Sequence, residues 1–218
     1  DISASWTAVH DVNAPRGLIS AIESGGVGDI WVGAGFRIHR LRGNNWQSWD
    51  LPYSVTAIHE SDGIVWIGTR GGGLYRWQSQ RTSGRVGGWQ SGPVTAMTVT
   101  PRGELMLMSG TEVWMMDSTA TVSHVLTTDR WTHVNATLCL PDGSVWLATD
   151  TGVHRISPSA VDGTRRVTLS LGAGSMLNGS VARSLALDLY GKLWIGCDIG
   201  VFWINPDTYR LVEFSVPE

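Results

Sequence analysis

The chain has 218 residues, with 16 Lys and Arg against 19 Asp and Glu, and a formal net charge of −3. A hydrophobic content of 42% excludes a disordered tail, and no apolar run approaches the roughly 20 residues that a membrane-spanning helix needs. No block of basic residues is present, whereas dedicated nucleic-acid binders show a basic face or stripe. We therefore expect no nucleic-acid partner and no membrane span.

Two residue types are unusually frequent, with 27 glycines and 12 tryptophans. Together with the low charge, they are typical of short aromatic strands joined by tight turns, which predicts an all-β fold. The two cysteines, Cys139 and Cys197, have no spacing of metal ligands. We expect free thiols, and the disulfide Cys139–Cys197 remains the alternative.

One pattern recurs five times along the chain. An apolar segment carries a central large residue, and a glycine stands three residues before it. The central residues, spaced 35, 40, 40 and 48 residues apart, are Trp31, Trp66, Met106, Trp146 and Trp194. The glycines are Gly28, Gly63, Gly103, Gly143 and Gly191. A glycine at a fixed offset indicates a hairpin turn that needs a positive φ angle, and Asp62 and Asp142 beside two of them are predicted turn residues.

Each repeat predicts four strands in the same order. A β-like run precedes the turn glycine, at 18–22, 55–58, 94–97, 134–140 and 181–187. The central strand follows, and an aromatic or histidine marks the third strand, at His39, Tyr75, Trp114, His154 and Phe202. Less regular outer strands are expected at 46–49, near Trp89, and at 122–126, 167–171 and 209–214. The longer stretch 157–179 is assigned to an extended loop and part of an outer strand.

Four-stranded units of about 40 to 45 residues are typical of β-propeller blades. The sequence thus predicts one propeller domain over residues 1–218, of about five blades, with repeats near 15–52, 53–92, 93–130, 131–179 and 180–218. The central large residue is expected between neighbouring blades, where the small residue two positions on lets the next blade approach. A closed five-blade ring is the first expectation, and a segment of a larger propeller is the alternative.

Residues 5–10 also read as an outer strand, since they are similar to residues 45–49. This strand would pair with the last blade or with a blade outside this chain. Left unpaired, such an edge could support self-association.

The run from Tyr53 to Trp77 closely resembles the two-component-regulator propeller repeat, and residues 141–156 and 190–204 match the same pattern. This resemblance implies a periplasmic or extracellular sensing propeller, of the type that precedes histidine kinases in hybrid regulators. Residues 202–208 and 214–217 look like virginiamycin B lyase-type repeats. Residues 30–32 and Trp46 are more weakly similar to tectonin-type lectin repeats.

Propeller sites usually lie where loops gather around the central channel. The loops between second and third strands supply Arg37, Arg70, Glu112, Asp150 and Asp198. The connections between blades supply Tyr53 and Trp131. Aromatic faces mixed with hydrogen-bonding groups suit a sugar or a polar peptide, so these seven residues are the predicted ligand-binding set.

No catalytic constellation and no cofactor motif is evident in the sequence. His39 and His154 share a repeat position with aromatic residues, which favours packing between blades over metal binding, and no metal site is predicted. The favoured hypothesis is a non-enzymatic propeller that recognises an oligosaccharide or a protein partner at its loop face. The alternatives are a lyase-like or hydrolytic enzyme with a central-channel site, and a structural module that completes a larger assembly by edge pairing.

Overall fold

The structure is a computed structural model that describes residues 14–61, 63–78, 81–89 and 92–214. These residues form twenty strands in five antiparallel sheets, and each sheet contains four strands that follow one another in the chain. The first sheet consists of β1 (Ile19–Ser24), β2 (Ile30–Ala34), β3 (Arg37–Arg42) and β4 (Asn45–Asp50). The second consists of β5 (Val55–Ser61), β6 (Ile64–Thr69), β7 (Gly73–Gln78) and β8 (Arg81–Arg85).

The other three sheets repeat this order. The third has β9 (Ala96–Val99), β10 (Leu105–Ser109), β11 (Glu112–Met116) and β12 (Val122–Thr127). The fourth has β13 (Val134–Cys139), β14 (Val145–Thr149), β15 (Gly152–Pro158) and β16 (Arg165–Leu171). The fifth has β17 (Ala182–Leu187), β18 (Leu193–Cys197), β19 (Gly200–Ile204) and β20 (Leu211–Phe214). The described residues contain no α-helix, only a short 3₁₀ turn at Gly26–Gly28. The predicted all-β propeller of five four-stranded blades is confirmed.

The recurring glycine sits where the first hairpin of each blade turns. Its φ angle lies between +74° and +79° in all five blades, a region that residues with a Cβ rarely adopt. The glycine spacing seen in the sequence is thus a backbone requirement of one turn that recurs in every blade.

Apolar side chains from neighbouring blades interdigitate in four separate cores, one between each consecutive pair of blades. Trp31 lies in the core between blades 1 and 2, Met106 between blades 3 and 4, and Trp146 between blades 4 and 5. The central large residue therefore packs between blades, as expected. Successive side chains of a strand point to opposite faces. One face of the second strand of a blade therefore packs against the following blade, and the other face packs against the preceding blade.

Two expectations need correction. The outer strand of blade 2 runs over Arg81–Arg85, whereas Trp89 comes after it and is buried in the core between blades 2 and 3. The outer strand lacks the apolar alternation by which strands are recognised, so the tryptophan misled the prediction. In addition, none of the four cores joins blade 5 to blade 1, so the described residues by themselves do not form the apolar contact of a closed five-blade ring.

The predicted strand at residues 5–10 and the predicted turn residue Asp62 lie outside the described residues. Within the described part of the chain, no helix has the length and apolar character needed to cross a membrane.

Candidate functional site

The innermost strand of four blades carries a β-bulge at its second residue. The register shifts fall at Ser20, Thr56, Asn135 and Arg183. A bulge adds one residue to a strand and re-aims its side chain, and bulges are frequent next to binding sites. Here the bulge places a polar residue at the same level of the first strand in successive blades.

Three of these polar residues, Ser20, Thr56 and Asn135, line a cavity of about 340 Å³ at the mouth of the central channel. Blades 1 to 4 contribute to its wall, which is formed by Ser20, Val55, Thr56, Arg70, Pro93, Thr95, His133, Val134 and Asn135. A second opening of about 210 Å³ continues along the same inner strands. Side chains from four blades that converge on one concave opening form the arrangement expected of a small-molecule site.

The hydroxyl groups in this wall have already donated their protons to the backbone. Ser20 Oγ donates to the Gly33 carbonyl at 3.1 Å, Thr95 Oγ1 donates to the Met108 carbonyl at 3.3 Å, and Thr56 donates to the Val94 carbonyl. A hydroxyl oxygen whose proton is donated retains lone pairs that accept hydrogen bonds. The wall thus offers acceptors to the cavity, which suits a ligand rich in hydroxyl donors.

Asn135 adds a further acceptor. Its amide nitrogen donates to the Ala182 carbonyl of the next blade at 2.8 Å, which fixes the orientation of the side chain. The amide oxygen of Asn135 then remains as an acceptor in the cavity wall.

Arg70 is the cationic group of the mouth. Its backbone N–H donates to the Ser54 carbonyl at 2.9 Å, which holds the loop after β6 against the connection between blades 1 and 2. Its side chain is exposed and has no hydrogen bond or ion pair with any of the described residues. A guanidinium without an acceptor in a concave site is a ready partner for a carboxylate.

Asp150 holds the loop that carries His133 into the mouth. Its carboxylate accepts from the backbone N–H groups of Thr132 at 3.1 Å and His133 at 3.2 Å, and from the Thr132 hydroxyl. Burial acts to raise the pKa of Asp150, but these hydrogen bonds outweigh it and keep the pKa below its ordinary value. Asp150 therefore stays ionised and fixes the loop.

Of the seven residues predicted to bind a ligand, Arg70 lines the cavity. Two others form ion pairs on the same face: Arg37 with Asp50 at 2.6 Å, and Asp198 with Arg183 at 2.5 Å. Both pairs occupy groups that the sequence offered to a ligand.

Of the other four predicted residues, Asp150 holds the Thr132–His133 loop, and three have aromatic neighbours. Trp131 is fully buried between blades 3 and 4 and lies 4.9 Å from the His154 ring. Glu112 accepts from Trp114 Nε1 at 3.1 Å, and half-exposed Tyr53 packs over the loop after Arg70.

The two histidines at the aromatic repeat position are buried, as predicted. His39 Nδ1 shares a hydrogen bond of 2.7 Å with Ser48, and His154 Nδ1 shares one of 2.9 Å with Ser170. Burial lowers the pKa of His154 to about 4, with a further contribution from the charge of Arg130. His154 is therefore neutral at pH 7 and serves packing.

Asp142 and the cysteines also have structural roles. Asp142 accepts from the Ser144 backbone at 2.8 Å and from Arg155 at 2.7 Å, which confirms it as a turn residue. Cys139 and Cys197 are free, and burial raises the pKa of both thiols.

Sequence reasoning missed most of the cavity wall. The missed polar residues are Ser20, Thr56, Thr95, His133 and Asn135. A signal was present, because a polar residue follows the first one or two apolar residues of the inner run in every repeat: Ser20, Thr56, Thr95, Asn135 and Arg183. Only the bulge shows that this residue points to the channel.

No protein-family model matches the sequence, and no curated protein is similar to it. Solved structures share its fold. Virginiamycin B lyase from Staphylococcus aureus is 14% identical with a TM-score of 0.73, over 92% of this chain and 70% of the lyase. The extracellular domain of a putative hybrid two-component system from B. thetaiotaomicron is 16% identical with a TM-score of 0.71. That match covers 92% of this chain, which spans only 28% of the sensor chain.

A calcium-binding protein, regucalcin from Agrobacterium tumefaciens, is 14% identical with a TM-score of 0.67, over 94% of this chain and 76% of that chain. At these identities the likeness shows the fold alone, since propellers host enzymes and binding proteins alike. The resemblance noted in the sequence to regulator and lyase propellers is confirmed at that level.

Proposed function

We propose that this chain is a non-enzymatic recognition propeller that binds an acidic oligosaccharide at the mouth of its central channel. The observation that carries the proposal is the Arg70 guanidinium, which has no partner among the described residues and stands over a wall of hydrogen-bond acceptors. A sugar supplies hydroxyl donors to such a wall, and a uronic acid adds the carboxylate that pairs with arginine.

Two further observations support recognition. The structural neighbours include extracellular domains of two-component systems, which favours a sensing role in the periplasm or outside the cell. The cavity of about 340 Å³ falls in the lower part of the range of small-molecule sites, so it fits one or two sugar units at the end of a chain.

Titration calorimetry with trigalacturonate and with neutral galactotriose tests this proposal. We expect trigalacturonate to bind, and Arg70→Gln to weaken it about 10- to 100-fold, since a charge-assisted hydrogen bond contributes about 1.5 to 3 kcal/mol. The matched control is Arg37→Gln, an arginine on the same face whose partner is Asp50, and it leaves the affinity unchanged. Absence of binding to both sugars, or equal loss in both variants, would contradict the proposal.

A second candidate is a lyase-type enzyme, and its support is His133 at the mouth of the channel. One structure of virginiamycin B lyase from Staphylococcus aureus contains quinupristin, which makes quinupristin the substrate to test here. Metal-dependent turnover of quinupristin that His133→Ala abolishes, with sugar binding absent, would favour the enzyme over the recognition propeller.

A further inference from the structure

The two outer faces of the blade array have no neighbouring blade among the residues between 14 and 214 that the structure describes. The first flank is the face of blade 1 that points away from blade 2, and it carries Ile19, Ile22 and Ile30. The last flank is the face of blade 5 that points away from blade 4, and it carries Trp194, Val201 and Phe214. In both flanks the residues occupy repeat positions that, in other blades, belong to the cores between blades.

Exposure at equivalent positions shows how much of the first flank is open. Ile22 is 68% exposed, whereas its equivalent Ile58 in blade 2 is 7% exposed and lies in the core with blade 1. Ile30 is 40% exposed, and the equivalent residues are at most 3% exposed: Val65, Leu105, Val145 and Leu193. Blade 1 thus presents a packing face that is open at Ile22 and Ile30 and has no neighbouring blade among the described residues, although Val32 on the same face is buried.

The last flank gives the complementary result. Val201 is 42% exposed, and its four equivalents are fully buried: Ile38, Leu74, Val113 and Val153. Phe214 lies 5.3 Å from Trp194, and the two rings occupy the repeat positions of Trp49 and Trp31, which lie 6.2 Å apart in blade 1. In blade 1 that aromatic pair packs against Trp77 of the next blade, and blade 5 has no such neighbour among the described residues.

A small-residue groove on the last flank gives an independent indication. At Gly33 a Cβ would lie 2.5 Å from Val55 Cγ1 of the next blade, and at Gly68 it would lie 2.9 Å from the Val94 carbonyl. The equivalent Gly196 has only Ser184 of its own blade within contact distance. The groove that receives a neighbouring valine is therefore present in blade 5 and has no occupant in the described residues.

We propose that the two flanks bind further blades of the same repeat, about two in number, which close the ring between blade 5 and blade 1. The flanks continue the interface already formed four times in this chain, and the occupant must offer the matching faces. It presents β-branched residues, like Val55 and Val65, to blade 5 and an aromatic face, like that of Trp31, to blade 1. The 30% of the lyase that this chain leaves unmatched corresponds to about two repeats.

A second copy of this chain fits the flanks less well. Its faces match in a head-to-tail contact, but a ring made of two copies would contain ten blades, whereas propellers typically contain about four to eight. Self-association through the flanks is thus the competing outcome of the test.

The test compares the chain as it stands with a seven-repeat chain, in which two copies of residues 53–92 are appended after residue 214, so that Val55 and Val65 meet blade 5 and Trp66 of the last copy meets blade 1. Hydrogen exchange should slow at least about tenfold in β1, β2, β18 and β19 of the longer chain, because closure buries both flanks. Val201→Asp should leave the thermal midpoint of the original chain nearly unchanged and lower that of the seven-repeat chain by more than about 5 °C. The control Val161→Asp, at a turn residue that is 95% exposed, should be neutral in both.

A six-repeat chain, with residues 53–92 appended, provides a second measurement that does not depend on ring closure. It should slow exchange in β18 and β19 while β1 and β2 remain unprotected. Unchanged exchange at the last flank in both longer chains would overturn the proposal. So would sedimentation showing that the original chain self-associates and that Val201→Asp returns it to a monomer.

Discussion

The contact between Gly33 and Val55 offers a direct test of how closely the blades approach. Gly33 lies in β2 of blade 1, and Val55 begins β5 of blade 2, where it is buried in the shared core. A Cβ at position 33 would lie 2.5 Å from Val55 Cγ1 and 3.1 Å from Val55 Cβ. Carbon atoms in contact prefer about 3.5 to 4.0 Å, so the methyl group of Gly33→Ala overlaps Val55 by about 1 Å.

Two opposing effects determine the size of the change. Overpacking of a buried contact costs about 1 to 3 kcal/mol, and Val55 has little room to move between β6 and blade 1. Alanine in a strand also gains about 0.5 to 1 kcal/mol over glycine, since it loses less backbone entropy on folding. We therefore expect Gly33→Ala to lower the free energy of unfolding by about 1 to 2 kcal/mol.

Urea unfolding followed by tryptophan fluorescence measures this change as a midpoint shift of about 0.5 to 1 M. The matched control is Gly196→Ala in blade 5, where only the rotatable Ser184 side chain lies in the way. This control should be neutral within about 0.5 kcal/mol. Adding Val55→Ala to Gly33→Ala should cost about 1 kcal/mol less than the two single changes together, because the new methyl fills part of the space that valine leaves. Additive effects, or a stable Gly33→Ala variant, would refute the close-approach argument.

Three other predictions concern single side chains. Because the folded-state pKa of His154 is about 4, its stabilising contribution is complete above pH 6.5 and is lost as the pH falls from 6.5 toward 4. After allowance for solvent screening this loss is about 2 kcal/mol, so the urea midpoint of the original protein should be lower at about pH 4.5 than at about pH 7. The two midpoints of His154→Phe should be nearly equal. Trp146→Ala should cost about 3 to 5 kcal/mol in the same assay, whereas Trp194→Ala on the last flank should cost less than half of that. Asp150→Ala should cost about 1 to 3 kcal/mol by leaving backbone N–H groups unpaired, and it should weaken sugar binding by releasing the loop with His133.

The sequence by itself determined the repeating local structure of this protein. The turn glycines need positive φ, and an apolar run follows each of them as the second strand of the blade, so both leave a pattern in neighbouring residues. The position of Trp31 and Trp146 between blades followed from the same pattern, because the large residue recurs once in every blade.

The tertiary structure alone decided which side chains face the channel and which are already paired. Asp198 is bound by Arg183, Trp131 is buried against His154, and Ser20 and Asn135 reach the cavity through bulges. These outcomes depend on contacts between residues far apart in the chain, which a local pattern does not encode. The same holds for the flanks, since Ile22 and Ile58 occupy one repeat position and differ only in whether a blade lies beside them.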